Sequence, residues 1–157
     1  MRLDLSELRA SPGRPVQLSA EEALGRLEWW GQELALNGPV RADVLAFYQQ
    51  ERVFLSLRVR GGIHRPCSRC LRDTVEEFDH TDLLEVRVGW QEQYLELRPH
   101  VEAGVRLALS PRPLCRPSCR GICPHCGADL NREDHRADCR PPGPAVDPRL
   151  AKLKELL

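Results

Sequence analysis

Between Cys115 and Cys126 the chain reads CRPSCRGICPHC, four cysteines within twelve residues, and Gly127 follows. The surrounding stretch, residues 111 to 144, is rich in Pro, Cys, Arg and Gly and too poor in large apolar side chains to build a core of its own. Something other than hydrophobic burial must order it, and thiolate–metal bonds do so where burial is scarce. Zinc takes four such ligands in a tetrahedron at about 2.3 Å. The turn from Cys123 through Pro124 and His125 to Cys126 and Gly127 reads as a knuckle. Its backbone N–H groups face sulfur, and Gly127 permits the conformation this needs. The chain has seven cysteines, an odd number set in close pairs, and its start, MRLDLSELRA, shows no export signal. Metal binding therefore fits better than a disulfide framework.

These spacings predict structural zinc, one ion or two. The nearest ligand set is Cys115, Cys119, Cys123 and Cys126, although only Arg120, Gly121 and Ile122 separate its two pairs. Cys139 is an alternate to Cys115. Cys67-Ser-Arg-Cys70 is a second knuckle-like pair at a strand end. It either completes a shared site or forms another with Cys115, Cys139 or a histidine.

The rest of the chain predicts an α+β fold. An antiparallel β-sheet, a meander or a small barrel-like one, is joined by a connecting helix to the cysteine-rich zinc knuckle and a C-terminal helix. Val40, Ala42, Val44, Ala46 and Tyr48 alternate with their neighbours, as do Val53, Leu55, Leu57 and Val59 after a turn near Gln49-Gln50. Gly61-Gly62 is expected to break or bulge that second strand. A further strand runs from Val75 to Val88. Ser19 and Glu22 have the spacing of a capping box, which predicts a short helix through Leu27. Pro99 suits a first helical position, with Val101, Val105 and Leu109 on one face and Ser110-Pro111 as the stop. Asp147-Pro148 opens a last helix with Leu150, Leu153, Leu156 and Leu157 as its apolar stripe. The boundaries expected are a β-rich unit over 1–110, a zinc-binding segment over 111–144 and a docking helix over 145–157. No internal repeat is evident in the sequence.

Net charge is zero, but the charges are sorted. Residues 52 to 72 hold six arginines and no acid, residues 103 to 128 hold four more and no acid, and residues 76 to 96 hold seven acids against Arg87 alone. A neutral chain can thus present a basic face suited to phosphate. Arg65, Arg69 and Arg72, around the Cys67 pair, are the first candidates for RNA binding, and Arg112, Arg116 and Arg120 the second. Some of these can instead neutralise the thiolates.

Enzymatic readings fit poorly. A zinc deaminase needs H-x-E before P-C-x-x-C, whereas here Pro66-Cys67-Ser-Arg-Cys70 precedes His100-Val-Glu102. A redox role for Cys67 and Cys70 needs a βαβ setting, and the flanks read as antiparallel strands. The five histidines form no catalytic pattern with a serine, cysteine or carboxylate. The expectation is a protein that is not an enzyme, is cytoplasmic, does not enter a membrane and has no evident small-molecule substrate.

Three segments, CSRCL, LALSPRPLCRPSCRGICPHCGADLN and DPRLAKLKELL, together resemble the cysteine-rich branch of the YceD family. The motif positions are Cys67, Arg69, Cys70, Cys115, Cys119, Gly121, Cys123, Pro124, Cys126, Gly127, Asp147, Pro148 and Arg149. The resemblance implies a non-enzymatic factor for large-subunit ribosomal RNA accumulation, with RNA, a ribosomal protein or an assembly factor as partner. The alternative is a zinc-stabilised protein-interaction module with no direct RNA contact.

Overall fold

The structure, a computed structural model, describes residues 1–140; the expected C-terminal helix and residues 141–144 lie outside the described residues. Antiparallel strands dominate. β1 (Arg2–Asp4) leads into α1 (Leu5–Ala10), followed by β2 (Val16–Glu22), β3 (Arg26–Trp29), β4 (Gln32–Ala35), β5 (Val40–Gln49), β6 (Arg52–Pro66), β7 (Asp73–Arg87), β8 (Tyr94–Glu96) and α2 (Arg98–Ala108). The principal sheet has the order β2-β5-β6-β7, while β1-β8 and β3-β4 are separate two-stranded ribbons. It is an open meander to which β2 is added, not a barrel.

The alternation of β5 and β6 does what period two requires. Val40, Ala42, Val44 and Ala46 of β5 and Val53, Leu55, Leu57 and Val59 of β6 are all buried on one face. Leu5 and Leu8 of α1, Leu27 and Leu34 of the β3–β4 ribbon, and Val101 and Val105 of α2 belong to the same core. The helix expected from Pro99 forms, and Gly104 brings it close to β6, since a Cβ there would lie 3.3 Å from Val59 Cγ2.

Two local expectations are corrected. Ser19 and Glu22 do not cap a helix. They lie in β2, paired with Asp43 and Val40 of β5, where Val16, Leu18 and Ala20 turn their half-buried side toward the core. A two-residue capping signal is outweighed by a strand period that also satisfies the backbone of β5. Nor do Gly61 and Gly62 break β6, which continues to Pro66 opposite the full length of β7. A Cβ on Gly61 would come within 2.9 Å of the Phe78 ring, and one on Gly62 equally near Val75, so these glycines admit the partner strand's side chains. The β5–β6 turn falls on Gln50-Glu51, both at positive φ, one residue beyond the expected place.

Strand register also explains the sorted charge. Arginines of β6 reach diagonally, two residues along from their direct register partners, to acids of β7, giving Arg52–Glu85, Arg58–Asp79 and Arg65–Glu76 pairs, while Arg60 reaches back to Asp43 on β5. Asp43, bonded by Ser19 and then by Arg60, has its carboxyl held down at about 2. The part of the acid-free stretch that lies in β6 is therefore matched by cross-strand ion pairs, while Arg69 and Arg72 lie beyond the strand. No described helix is long and apolar enough to cross a membrane.

Candidate metal centres

The hairpin of β6 and β7 ends in the Cys67–Cys70 turn. Cys67 N–H donates to Arg72 O at 2.8 Å, and Leu71 N–H donates to Cys67 O at 2.9 Å, with Leu71 at φ +59°. The turn at Cys123 repeats this pattern, with Cys123 N–H to Ala128 O and Gly127 N–H to Cys123 O, both at 2.9 Å, and Gly127 at φ +72°. Each knuckle faces a second pair at x3 spacing, Cys115 with Cys119 and His135 with Cys139. Cys119 N–H donates to Arg116 O at 3.0 Å and Cys139 N–H to Arg136 O at 2.9 Å. The chain thus contains the same half-sites twice, a repeat not evident in the sequence because 44 residues intervene in one copy and eight in the other.

Two groups of four donors result. Cys67, Cys70, Cys115 and Cys119 form one, and Cys123, Cys126, His135 and Cys139 the other, with all ligand atoms of each within 4.8 Å of one another. The set Cys115, Cys119, Cys123 and Cys126 is not brought together. The three residues between its pairs instead lead from one centre to the other, and each half finds partners elsewhere. The alternates Cys67, Cys70 and Cys139 all fall within these groups, His135 joins Cys139, and His125 stays outside.

The distances fit a tetrahedral ion. Metal–sulfur bonds of about 2.3 Å imply tetrahedral edges of roughly 3.8 Å. Cys67 and Cys119 sulfurs lie 3.8 Å apart, and those of Cys70 and Cys115 lie 3.7 Å apart. In the second group Cys123 and Cys139 sulfurs are 3.8 Å apart, with His135 Nδ1 at 3.4 Å from Cys139 Sγ and 4.0 Å from Cys126 Sγ. These separations are far beyond a disulfide's ~2.05 Å, and all seven thiols are free.

Electrostatics points the same way. Burial raises the Cys67 thiol, yet N–H groups of Cys115, Cys70 and Arg69 outweigh it and hold the thiol down at about 6. Backbone N–H groups of Arg136 and Ala128 hold Cys126 at about 6. Burial, followed by the neighbouring sulfurs, pushes Cys115 and Cys139 each up to about 12. In the first cluster the lowered Cys67 stands against the raised Cys115, and in the second Cys123 and Cys126, both lowered chiefly by backbone N–H groups, stand against the raised Cys139, a conflict that a divalent cation removes. A borderline-soft d¹⁰ ion such as zinc matches S₄ and S₃N donor sets.

The centres differ in setting. In the first, Cys67, Cys70 and Cys119 are buried, and it joins the sheet end to the cysteine-rich arm, residues 111–140. In the second only Cys123 is buried, and every ligand comes from seventeen consecutive residues. The knuckles touch at Gly121 (φ +81°), where a Cβ would lie 3.0 Å from Arg69 O. That carbonyl accepts Ile122 N–H at 3.0 Å. Sequence reasoning missed Asn131, whose Oδ1 accepts Arg120 N–H and Arg116 Nη2 and whose Nδ2 points at Cys119 Sγ from 3.5 Å. The only hint was its place in an Asx turn from Asp129.

Among the arginines expected to bind RNA, Arg65 is corrected. It is 5% exposed, donates to Glu76 at 2.6 Å and to Ser110 O at 2.7 Å, and lies over the Trp29 ring. A guanidinium so enclosed has nothing left for phosphate. Arg69 is exposed but donates to Cys119 O, Arg72 faces Asp129 at 3.7 Å, Arg116 holds Asn131 and Arg120 is 3.9 Å from Asp134. Arg112 is exposed, and its guanidinium has no polar partner among the described residues.

Residues 75–157 match the model of a family described as "Large ribosomal RNA subunit accumulation protein YceD". Relatives include uncharacterized proteins of Mycobacterium bovis and Mycobacterium tuberculosis, each 39% identical over 67 residues, or 42% of this chain. The similarity spans 30% of the length of these relatives. No solved structure matches.

Proposed function

This chain belongs to the YceD family, and from that premise we propose that it is a non-enzymatic accessory factor that supports large-subunit ribosomal RNA accumulation through direct contact with RNA. Two structural zinc ions hold its contact surface in shape. The observation that carries this reading is where the family match falls. Residues 75–157 contain most of β7, all of α2 and five of the seven cysteines, so the matched part is the arm together with the elements that carry it.

Four protein donors close each centre, leaving no position for the water that a catalytic zinc activates. The metals therefore serve shape. Zinc in the first centre fixes the arm to the end of the sheet, and zinc in the second keeps residues 123–139 folded. Arg112, Arg116, Arg120, Arg132, Arg136 and Arg140 are exposed along this arm together with Glu133, Asp134 and Asp138, while the sulfurs are buried or half-buried. Guanidiniums outside and thiolates inside make a surface that phosphate can approach.

Depleting the protein in its native cells should lower large-subunit ribosomal RNA relative to small-subunit RNA. Wild type should restore the ratio and Cys67→Ser should not. An unchanged ratio on depletion, with the protein absent from particles on a sucrose gradient, would remove the ribosomal reading.

A further inference from the structure

The β3–β4 ribbon turns on two residues, Trp30 and Gly31, with φ of +51° and +75°. Such hairpins require positive φ at both central positions, and Asn, Asp or Gly normally supply it. A bulky tryptophan there is strained, and this one is 85% exposed, so it adds almost nothing to the core. The fold would be served better by glycine. A residue that costs stability without contributing burial points to a role outside folding.

Its surroundings indicate which role. The Trp30 ring stacks on Trp29 with centroids 5.1 Å apart and planes 10° from parallel, so its orientation is set in advance. The Arg65 guanidinium carbon lies 4.4 Å from the Trp29 ring centroid. Arg106 is anchored beside the pair by its Nε bond to Glu28 O at 3.0 Å, and Leu107, 64% exposed, completes the wall. Together Glu28, Trp29, Trp30, Arg106 and Leu107 line an open cleft of about 480 Å³. Ser110 links this cleft to the arm, since its carbonyl accepts Arg65 and its hydroxyl accepts the amide of Arg112.

We infer that the Trp29–Trp30 hairpin tip is a stacking platform for an unpaired RNA base, with Arg106 in its wall, where it also reaches Glu102 at 3.5 Å, and Arg112 on the following segment as the guanidiniums for flanking phosphates. This rests on the RNA-contact reading above and names the part of the RNA involved. A flat, open π surface beside guanidiniums is how proteins take single-stranded bases. An apolar peptide anchor would instead call for an enclosed pocket, and here Leu107 is the one aliphatic wall.

The test titrates two labelled RNAs over several salt concentrations, a large-subunit ribosomal RNA transcript with unpaired loops and a fully paired duplex of equal length. Trp30→Gly suits the left-handed turn, so its thermal unfolding should match or exceed that of wild type. It should bind the looped transcript about tenfold more weakly, with the salt slope and duplex binding unchanged, because stacking releases no counterions. Arg112→Ala should weaken both RNAs and reduce the magnitude of the slope by roughly one. Equal affinity of Trp30→Gly and wild type for the looped transcript would overturn the platform while leaving the proposed function standing. No RNA binding by wild type at low salt would overturn both and assign the tryptophan pair to a protein partner.

Discussion

Replacing Cys67 by serine is expected to remove one of two zinc ions and release the arm from the sheet. Structural zinc sites carry about 10–16 kcal/mol of apparent binding free energy, far more than the few apolar contacts of residues 111–122 can offset. Hydrogen exchange should show protection lost over residues 67–72 and 111–122. Residues 40–60 should keep theirs, because Val40, Val44, Val53, Leu57 and Val59 are fully buried without help from the metal. Residues 123–139 should also stay ordered around their own ion, since no ligand of theirs comes from the first centre. Cys119→Ser should behave alike. Loss of protection over residues 40–60 would mean that the first centre organises the whole domain.

Arg65→Ala is the second change with a large expected effect, and the effect is on stability. It strands Glu76, a carboxylate only 15% exposed, and removes the bond to Ser110 O and the guanidinium on Trp29. Breaking a buried pair by deleting one partner costs about 3–5 kcal/mol. At roughly 2–4 °C per kcal/mol for a chain of this size, thermal unfolding should fall by about 10 °C. Adding Glu76→Gln should recover part of the loss, because the stranded charge is then gone. The Ser110 amide still needs its acceptor, since it donates to Glu76 Oε1 at 2.8 Å. A loss below about 1 kcal/mol would mean that water reaches the pair as it does a surface bridge. The salt slope for RNA should not change, which separates this arginine from Arg112.

The core strands and α2 were legible because their signals are local and periodic. Val40 to Tyr48 and Val53 to Val59 announce their buried faces at period two, and Pro99 announces a helix start. What failed was whatever depends on a partner distant in sequence. Whether Ser19 and Glu22 begin a helix or edge a sheet is decided by β5, more than a dozen residues later. Whether the arginines of β6 form a basic face is decided by the acids of the neighbouring strands, Glu76, Asp79 and Glu85 on β7 and Asp43 on β5.

The cysteine clusters show the same division. That the cysteines come together in groups able to hold a metal could be read from CRPSCRGICPHC, but the grouping and the histidine in one of the groups could not. Cys115 and Cys119 meet Cys67 and Cys70 only because β7 and α2 carry the chain out and return it to the sheet end. The three residues from Arg120 to Ile122 are too few to close one centre over both pairs, and Gly121 uses its positive φ to pass from one knuckle to the next. His135 is one histidine among five in the sequence, and its x3 spacing to Cys139 copies that of Cys115 and Cys119.

Native mass spectrometry of protein purified without added metal tests the two-centre arrangement most directly. Wild type should carry two zinc ions, while Cys67→Ser and Cys126→Ser should each carry one. A single ion in wild type, lost from both variants, would show one shared centre and contradict the arrangement. A metal-free, folded chain with disulfides among these cysteines would contradict it altogether.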